Sequence, residues 1–113
     1  MAFADNNSTA TGSLANGWTS DIYRVGPMVS GSLELVHASG ATGNFYLEVS
    51  NSGTNWYIVD NSTMAADDDG LFWNIGNLNS RFIRIGYDGS STQAYSIYSV
   101  FKIHQMYRMD QKT

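Results

Sequence analysis

The sequence predicts an all-β fold, an antiparallel β-sandwich of jelly-roll-like type with an extended N-terminal arm. Three observations carry that expectation. Helix formers never gather into a long Ala, Leu, Glu and Lys stretch; β-branched and aromatic residues sit instead between clusters of Gly, Asn and Ser. From Asp21 onward, short apolar runs recur at the spacing of strands joined by turns. No helical segment separates one run from the next, so two packed antiparallel sheets fit where a parallel α/β sheet does not.

Residues 1–20 read as the arm, a polar run with Phe3, Leu14 and Trp18 as its apolar anchors and neither a strand nor a helix period. Such a segment is a disordered terminus or an arm that orders on a partner. Residues 21–113 are the sandwich domain. Its first strand is Ile22-Tyr23-Arg24-Val25, closed by Gly26-Pro27. In Met28 to His37, Val29, Leu33 and Leu35 share one side of a period-two pattern, with Ser30, Ser32 and Glu34 on the other. Phe45, Leu47 and Val49 alternate with Tyr46, Glu48 and Ser50; Asn51-Ser52-Gly53-Thr54 then supplies a hairpin turn, and Trp56 to Val59 returns. Asp60 to Gly70 is the longest irregular stretch, with a short pairing near Met64, and it leads into Leu71 to Ile75. Arg81 to Tyr87 and Tyr95 to Tyr107 form a second hairpin candidate. Seven or eight strands result, and Trp56 and Trp73, inside two of them, are expected in the core.

A chain of 113 residues holds one core. Charge is low at 14%, and without Cys neither disulfides nor thiolates contribute, so association is expected to support so small a fold. The net charge of −4, with six Lys and Arg spread along the chain, argues against nucleic acid as a partner. The first residues lack the basic start and apolar run of a secretory signal, and no run reaches the roughly 18 apolar residues of a membrane helix. The expectation is a soluble protein that is not exported by the general route and has no membrane partner.

Catalytic chemistry has little to work with. His37 and His104 are the two histidines, read as ordinary strand residues, and no Gly-x-Ser-x-Gly elbow occurs. Asp67-Asp68-Asp69-Gly70 lacks the alternating spacing and distal Glu of a calcium loop and reads as a solvated acidic turn. No enzyme activity, metal or cofactor is expected. Three Trp, seven Tyr and five Phe leave aromatics available for contacts or for core, and Trp18, after the turn-forming Asn16-Gly17, suits either role.

Val49-Ser50-Asn51-Ser52-Gly53-Thr54-Asn55-Trp56, followed by Arg81-Phe82-Ile83-Arg84-Ile85, resembles the Ser-x-Asp-Gly-x-x-Trp … Arg-Tyr-Ile-Arg-Ile pattern of discoidin-like sandwich domains, with Ser52 where Asp is common. It is also similar to a pattern of small β-sandwich proteins in tailed-bacteriophage virions, capsid decoration or cement proteins among them. That resemblance implies a turn leading into a Trp that plugs the core and a strand with Ile83 and Ile85 inward and Arg84 outward. It further implies a structural protein on the outer capsid surface of a virion, partnered by the major capsid protein and by its own copies as a trimer or dimer. Phe3, Leu14, Trp18, Tyr107 and Met109 are then the expected contacts to neighbours. The competing expectation is a carbohydrate- or receptor-binding module of a tail or fibre, with an aromatic such as Trp18 or Tyr57 beside the acidic loop.

Overall fold

The structure, a computed structural model, describes residues 3–4, 8–25, 28–66, 70–76 and 80–103. Its strands are β1 (Phe3–Ala4), β2 (Ser8–Ser13), β3 (Ile22–Arg24), β4 (Met28–His37), β5 (Asn44–Ser50), β6 (Tyr57–Ile58), β7 (Met64–Ala65), β8 (Gly70–Gly76), β9 (Phe82–Asp88) and β10 (Ala94–Ile103). A six-stranded sheet has the order β1-β3-β9-β5-β6, with β7 also on β5; a four-stranded sheet has the order β2-β10-β4-β8. The chain changes sheet at each step from β2 to β5, and again from β7 to β8, β8 to β9 and β9 to β10. Four strands in the order 2-10-4-8 facing four in the order 3-9-5-6 make the double Greek key of a jelly roll. The fold class is the expected one: every pairing is antiparallel except that of β1 with β3.

Period-two patterning explains which faces meet. β8 buries Leu71, Trp73 and Ile75 and turns Gly70, Phe72, Asn74 and Gly76 outward. Facing it across the sandwich, Phe45 and Leu47 of β5 and Ile83, Ile85 and Tyr87 of β9 are buried, and Leu33, Leu35, Ile97 and Phe101 complete the same cluster. One polar tie runs through this core. The indole Nε1 of Trp73 donates to the Ser62 carbonyl (2.8 Å), while the Ser62 hydroxyl accepts from the Leu47 amide (3.0 Å) and donates to the Val59 carbonyl (2.6 Å). Buried polar groups are thereby satisfied where the β6–β8 connection passes under the sheets.

Three expectations are corrected. Residues 8–20 are part of the sandwich and not an arm: β2 pairs with β10 from Ala94↔Ser13 to Ser99↔Ser8. After the turn at Gly17 (φ 73°), the Ser20 amide donates to the Ile85 carbonyl (2.9 Å), and the Ser20 hydroxyl accepts from the Ile85 amide (2.8 Å). Of the inward residues of this Ser/Thr-rich edge strand, Ser8, Ala10 and Gly12, only Ala10 packs as a hydrophobic against the core, so the segment lacks the apolar alternation that marks a strand. Second, β9 and β10 do not form a hairpin; they lie in opposite sheets, and the 89–93 connection crosses between them. Third, Trp56 lies outside the core cluster, whereas Trp73 is 4% exposed and within it.

Candidate interaction surfaces

Among the described residues, the outer face of the four-stranded sheet carries most of the exposed large apolar side chains. Phe72 (51% exposed), Tyr98 and Val100 (both 45%) and Val36 (39%) all project there. Register sets their arrangement: Thr9, Tyr98, Glu34 and Phe72 make one row across the four strands, with Val100, Ser32 and Asn74 in the next. Glu34 is a single carboxylate within this patch, and Lys102, opposite Ser30, lies at its end. Beside Val100, a depression of about 480 Å³ is lined by Ser30, Ser32, Asn74, Gly76 and Lys102. Exposed apolar area of this kind, rimmed by hydroxyl and amide groups, is the signature of a docking surface.

A second feature is the 51–57 loop at the opposite sheet's edge. Gly53 takes φ 84° and its amide donates to the Ser50 hydroxyl (2.8 Å); the Ser52 hydroxyl accepts from the amides of Thr54 (3.2 Å) and Asn55 (3.1 Å). Asn51 Oδ1 accepts from the Arg81 amide (3.0 Å), tying the loop to the start of β9. So held, the loop lays Trp56 over the Arg84 guanidinium, 4.1 Å from carbon to ring centroid, and Arg84 Nε donates to Glu48 Oε1 at 2.8 Å. This Trp–Arg–Glu stack sits on the outward side of β9 and β5, with Thr19, Ser20, Asp21 and Ile22 closing a groove of about 360 Å³ beside it. On the loop's other flank Tyr57, 67% exposed, stands over a hollow of about 250 Å³ lined by Ser50, Asn51, Ser52, Asn55 and Ser80.

The structure places the expected contact residues differently. Leu14 is 2% exposed in the core and has no surface to offer a neighbour. Its position just after β2, where its amide donates to the Gln93 carbonyl (2.9 Å), carries the side chain under the sheets. Trp18 packs partly buried on its own domain, 4.7 Å from Tyr95 and edge-on to Phe45 at 6.4 Å. Phe3 pairs through its backbone with Ile22. Tyr107, Met109, His104 and Asp67-Asp68-Asp69 lie outside the described residues. Phe72, Tyr98, Val100 and Val36 escaped the sequence reading because β8, β10 and β4 carry apolar residues on both parities of the strand. That double parity was itself the available signal: one set must face away from the core.

His37 is buried as a core residue, its ring 5.8 Å from Phe45 and stacked at 25°, with Nδ1 2.9 Å from the Ala38 carbonyl oxygen. A carbonyl there requires the proton on Nδ1. Among the described residues no three His, Cys, Asp or Glu converge as metal ligands. Among the described residues the strongest perturbation of a titrating group is structural: burial, with the nearby Asp21 charge, pushes the Tyr23 phenol up to about 12, against an opposing hydrogen bond to Ser99.

No protein-family model matches the chain, and no curated protein matches it in sequence. Solved structures do share its fold. The SPBc2 prophage-derived protein YomS superimposes with a TM-score of 0.57 at 6% identity, covering 82% of this chain and 92% of its own. The pre-peptidase C-terminal domain of collagenase from Bacillus anthracis gives 0.59 at 16% identity, over 87% of this chain and 92% of that domain. The Yersinia pseudotuberculosis-derived mitogen gives 0.50 at 22% identity, over 88% and 86%. The class so defined is a small jelly-roll β-sandwich with an exposed apolar sheet face, a fold that hosts unrelated functions.

Proposed function

We propose that this protein is a structural component of a phage particle, a capsid decoration or cement protein that binds neighbouring shell subunits and strengthens the contacts between them. The observation that carries this reading is the outer face of the four-stranded sheet, where Phe72, Tyr98, Val100 and Val36 stay exposed on a nearly uncharged surface. Burying such a patch on a shell favours whichever state presents the complementary surface, so a ligand that prefers the assembled lattice stabilises it by mass action. The fold shared with a prophage-derived protein and the virion-like sequence pattern support the same reading. The test is cosedimentation of the purified protein with shells of its own phage assembled without it. The expected result is saturable binding that falls at least about tenfold, a change of about 1.4 kcal/mol, in the double variant Tyr98→Ser, Val100→Ser. No binding, or equal binding by the variant, refutes the reading.

A second reading, a glycan-binding module, is favoured by the hollow under Tyr57: an exposed ring beside the amides of Asn51 and Asn55 and the hydroxyls of Ser50 and Ser52 suits a sugar. Binding on a glycan array that is lost in Tyr57→Ala supports it; no binding across the array removes it.

A further inference from the structure

The order of the four-stranded sheet ends at β8, and among the described residues no strand pairs with its outer edge. The direction of each peptide group on that edge follows from a bond elsewhere in the sheet. The Ala38 amide donates to the Ala94 carbonyl, toward β10. Peptide groups alternate sides along a strand, so those of Val36, Glu34 and Ser32 also turn to β10, and those of Leu35, Leu33 and Gly31 turn to β8. Their partners on β8 are Leu71, Trp73 and Ile75. The N–H and C=O groups of Gly70, Phe72, Asn74 and Gly76 therefore point outward along the edge.

Proteins protect such edges with charged side chains, proline, bulges or very short strands. β8 uses none of these. It has no Lys, Arg, Asp, Glu or Pro, and its register with β4 runs unbroken from Ser30↔Gly76 to Val36↔Gly70. The edge strands β1 and β6 of the other sheet are protected by length, at two residues each. Among the described residues nothing forbids a guarding side chain at the ends of β8. A Cβ on Gly76 meets no atom within 4 Å and one on Gly70 meets the Leu35 oxygen at 4.0 Å, and neither glycine has positive φ. Among the described residues nothing covers the strand at either end.

We propose that β8 is a homodimer edge: two copies pair β8 to β8 antiparallel about a two-fold axis through Trp73, joining their four-stranded sheets into one of eight. Pairing that matches outward peptide groups and keeps both buried faces inward must oppose residues of the same parity. The register that uses the whole strand sets Trp73 opposite itself, Phe72 opposite Asn74 of the partner subunit, and Gly70 opposite Gly76 of the partner subunit. Each of the outward-facing residues then exchanges both its bonds with its opposite number. No charge is brought against a like charge, and Phe72 gains a neighbour on its exposed face. A second copy is the occupant because the strand is its own complement about its centre, including the glycine at each end.

This inference stands apart from the shell-docking reading, and its test separates the two. Sedimentation velocity over a range of concentrations should show a species of about twice the 12.4 kDa chain mass. Asn74→Pro removes one outward N–H and leaves the ladder to β4 intact, as proline permits on an edge strand. It should yield monomer where the wild type is dimeric, while Tyr98→Ser with Val100→Ser leaves the mass unchanged. Because the chain has no Cys, register can be read without relying on that proline. Single variants Phe72→Cys and Asn74→Cys, mixed and oxidised, should form a disulfide-linked dimer at the roughly 5.5 Å Cα spacing of a hydrogen-bonded pair, and each alone should cross-link far more slowly. A wild-type monomer at every concentration overturns the proposal. So does a dimer that cross-links through Thr9→Cys and Thr11→Cys on β2, or one without the 72–74 link.

Discussion

Two tryptophans that the sequence pattern treats alike should differ several-fold in what they contribute to stability. Trp73 is 4% exposed and its indole N–H is hydrogen-bonded to the Ser62 carbonyl at 2.8 Å. Trp73→Ala removes a core side chain, about 3–5 kcal/mol, and withdraws the donor from a buried carbonyl, so the cost should fall near the top of that range. Trp73→Phe keeps most of the volume but not the N–H, and should cost about 2 kcal/mol. Trp56 instead stacks on Arg84 at 4.1 Å, outside the core. Its loss removes a partly solvated cation–π contact of about 0.5–1 kcal/mol and some packing, so Trp56→Ala should cost about 1–2 kcal/mol. The assay is urea unfolding followed by far-UV circular dichroism, at one protein concentration so that association does not shift the midpoint. With a slope of about 1.5 kcal/mol/M, Trp73→Ala should move the midpoint by about 3 M and Trp56→Ala by about 1 M. Since domain stability is about 5–15 kcal/mol, Trp73→Phe keeps the measurement on scale if the alanine variant unfolds. Equal costs at the two positions would refute the assignment of Trp73 to the core and Trp56 to the outer stack.

Three further outcomes follow from the same geometry. Tyr23 is 1% exposed, and its pKa rises to about 12 from an unfolded value near 10. Its contribution, about 2–3 kcal/mol, is therefore complete below pH 10 and lost as pH climbs toward 12. Urea midpoints across that window should fall, and Tyr23→Phe should flatten part of the decline; an identical decline in the variant would remove Tyr23 as the cause. Gly43 has φ 90°, and a Cβ there would collide with the Asp88 carbonyl oxygen, so Gly43→Ala should cost about 3 kcal/mol or more by thermal or urea unfolding, and a cost under about 1 kcal/mol would contradict that backbone. Leu14→Ala should cost about 2–5 kcal/mol, and deletion of residues 1–18, which strips β2 from β10, should abolish cooperative unfolding; a stable truncated domain would show that the segment is dispensable.

Wherever one face of a strand is buried and the other wet, the fold was legible in the sequence. Leu33 and Leu35 against Ser32 and Glu34, or Ile83 and Ile85 against Arg84, mark strands and their inward sides without any tertiary information. β2 was not legible, because an edge strand of Ser, Thr and Gly is held by backbone bonds to β10 that leave no trace in side-chain periodicity. Nor was the crossing between β9 and β10, since a turn-rich connection looks the same whether it returns in one sheet or passes to the next. The Trp56 misassignment has a related cause: a strand-like run at an edge, shortened to Tyr57–Ile58, puts its residues beyond the second sheet's cover. For the candidate surfaces, strand identity was readable but face was not. In β8, Leu71-Phe72-Trp73 are consecutive large apolar residues, and only the β4 register decides that Phe72 is the one turned to solvent.

The exposed face and the bare edge belong to one sheet, so a dimer formed through the edge would fix two such faces relative to each other. A two-fold axis perpendicular to the sheet through Trp73 would leave the outer faces of both copies pointing the same way. The two Phe72–Tyr98–Val100 patches would then lie on one surface with β8 at its centre. A single patch with Glu34 in its midst is modest as a docking site. Two held in fixed relation turn the second contact into an intramolecular event, raising avidity by orders of magnitude when the spacing matches and adding nothing when it does not. A dimer of this geometry reads the distance between neighbouring subunits as well as their chemistry. Asn74→Pro keeps Tyr98 and Val100 but also alters the depression beside Val100, so binding to an isolated shell subunit measures that local loss, and binding to an assembled shell should weaken far more. A face-only interaction would lose the same factor on both.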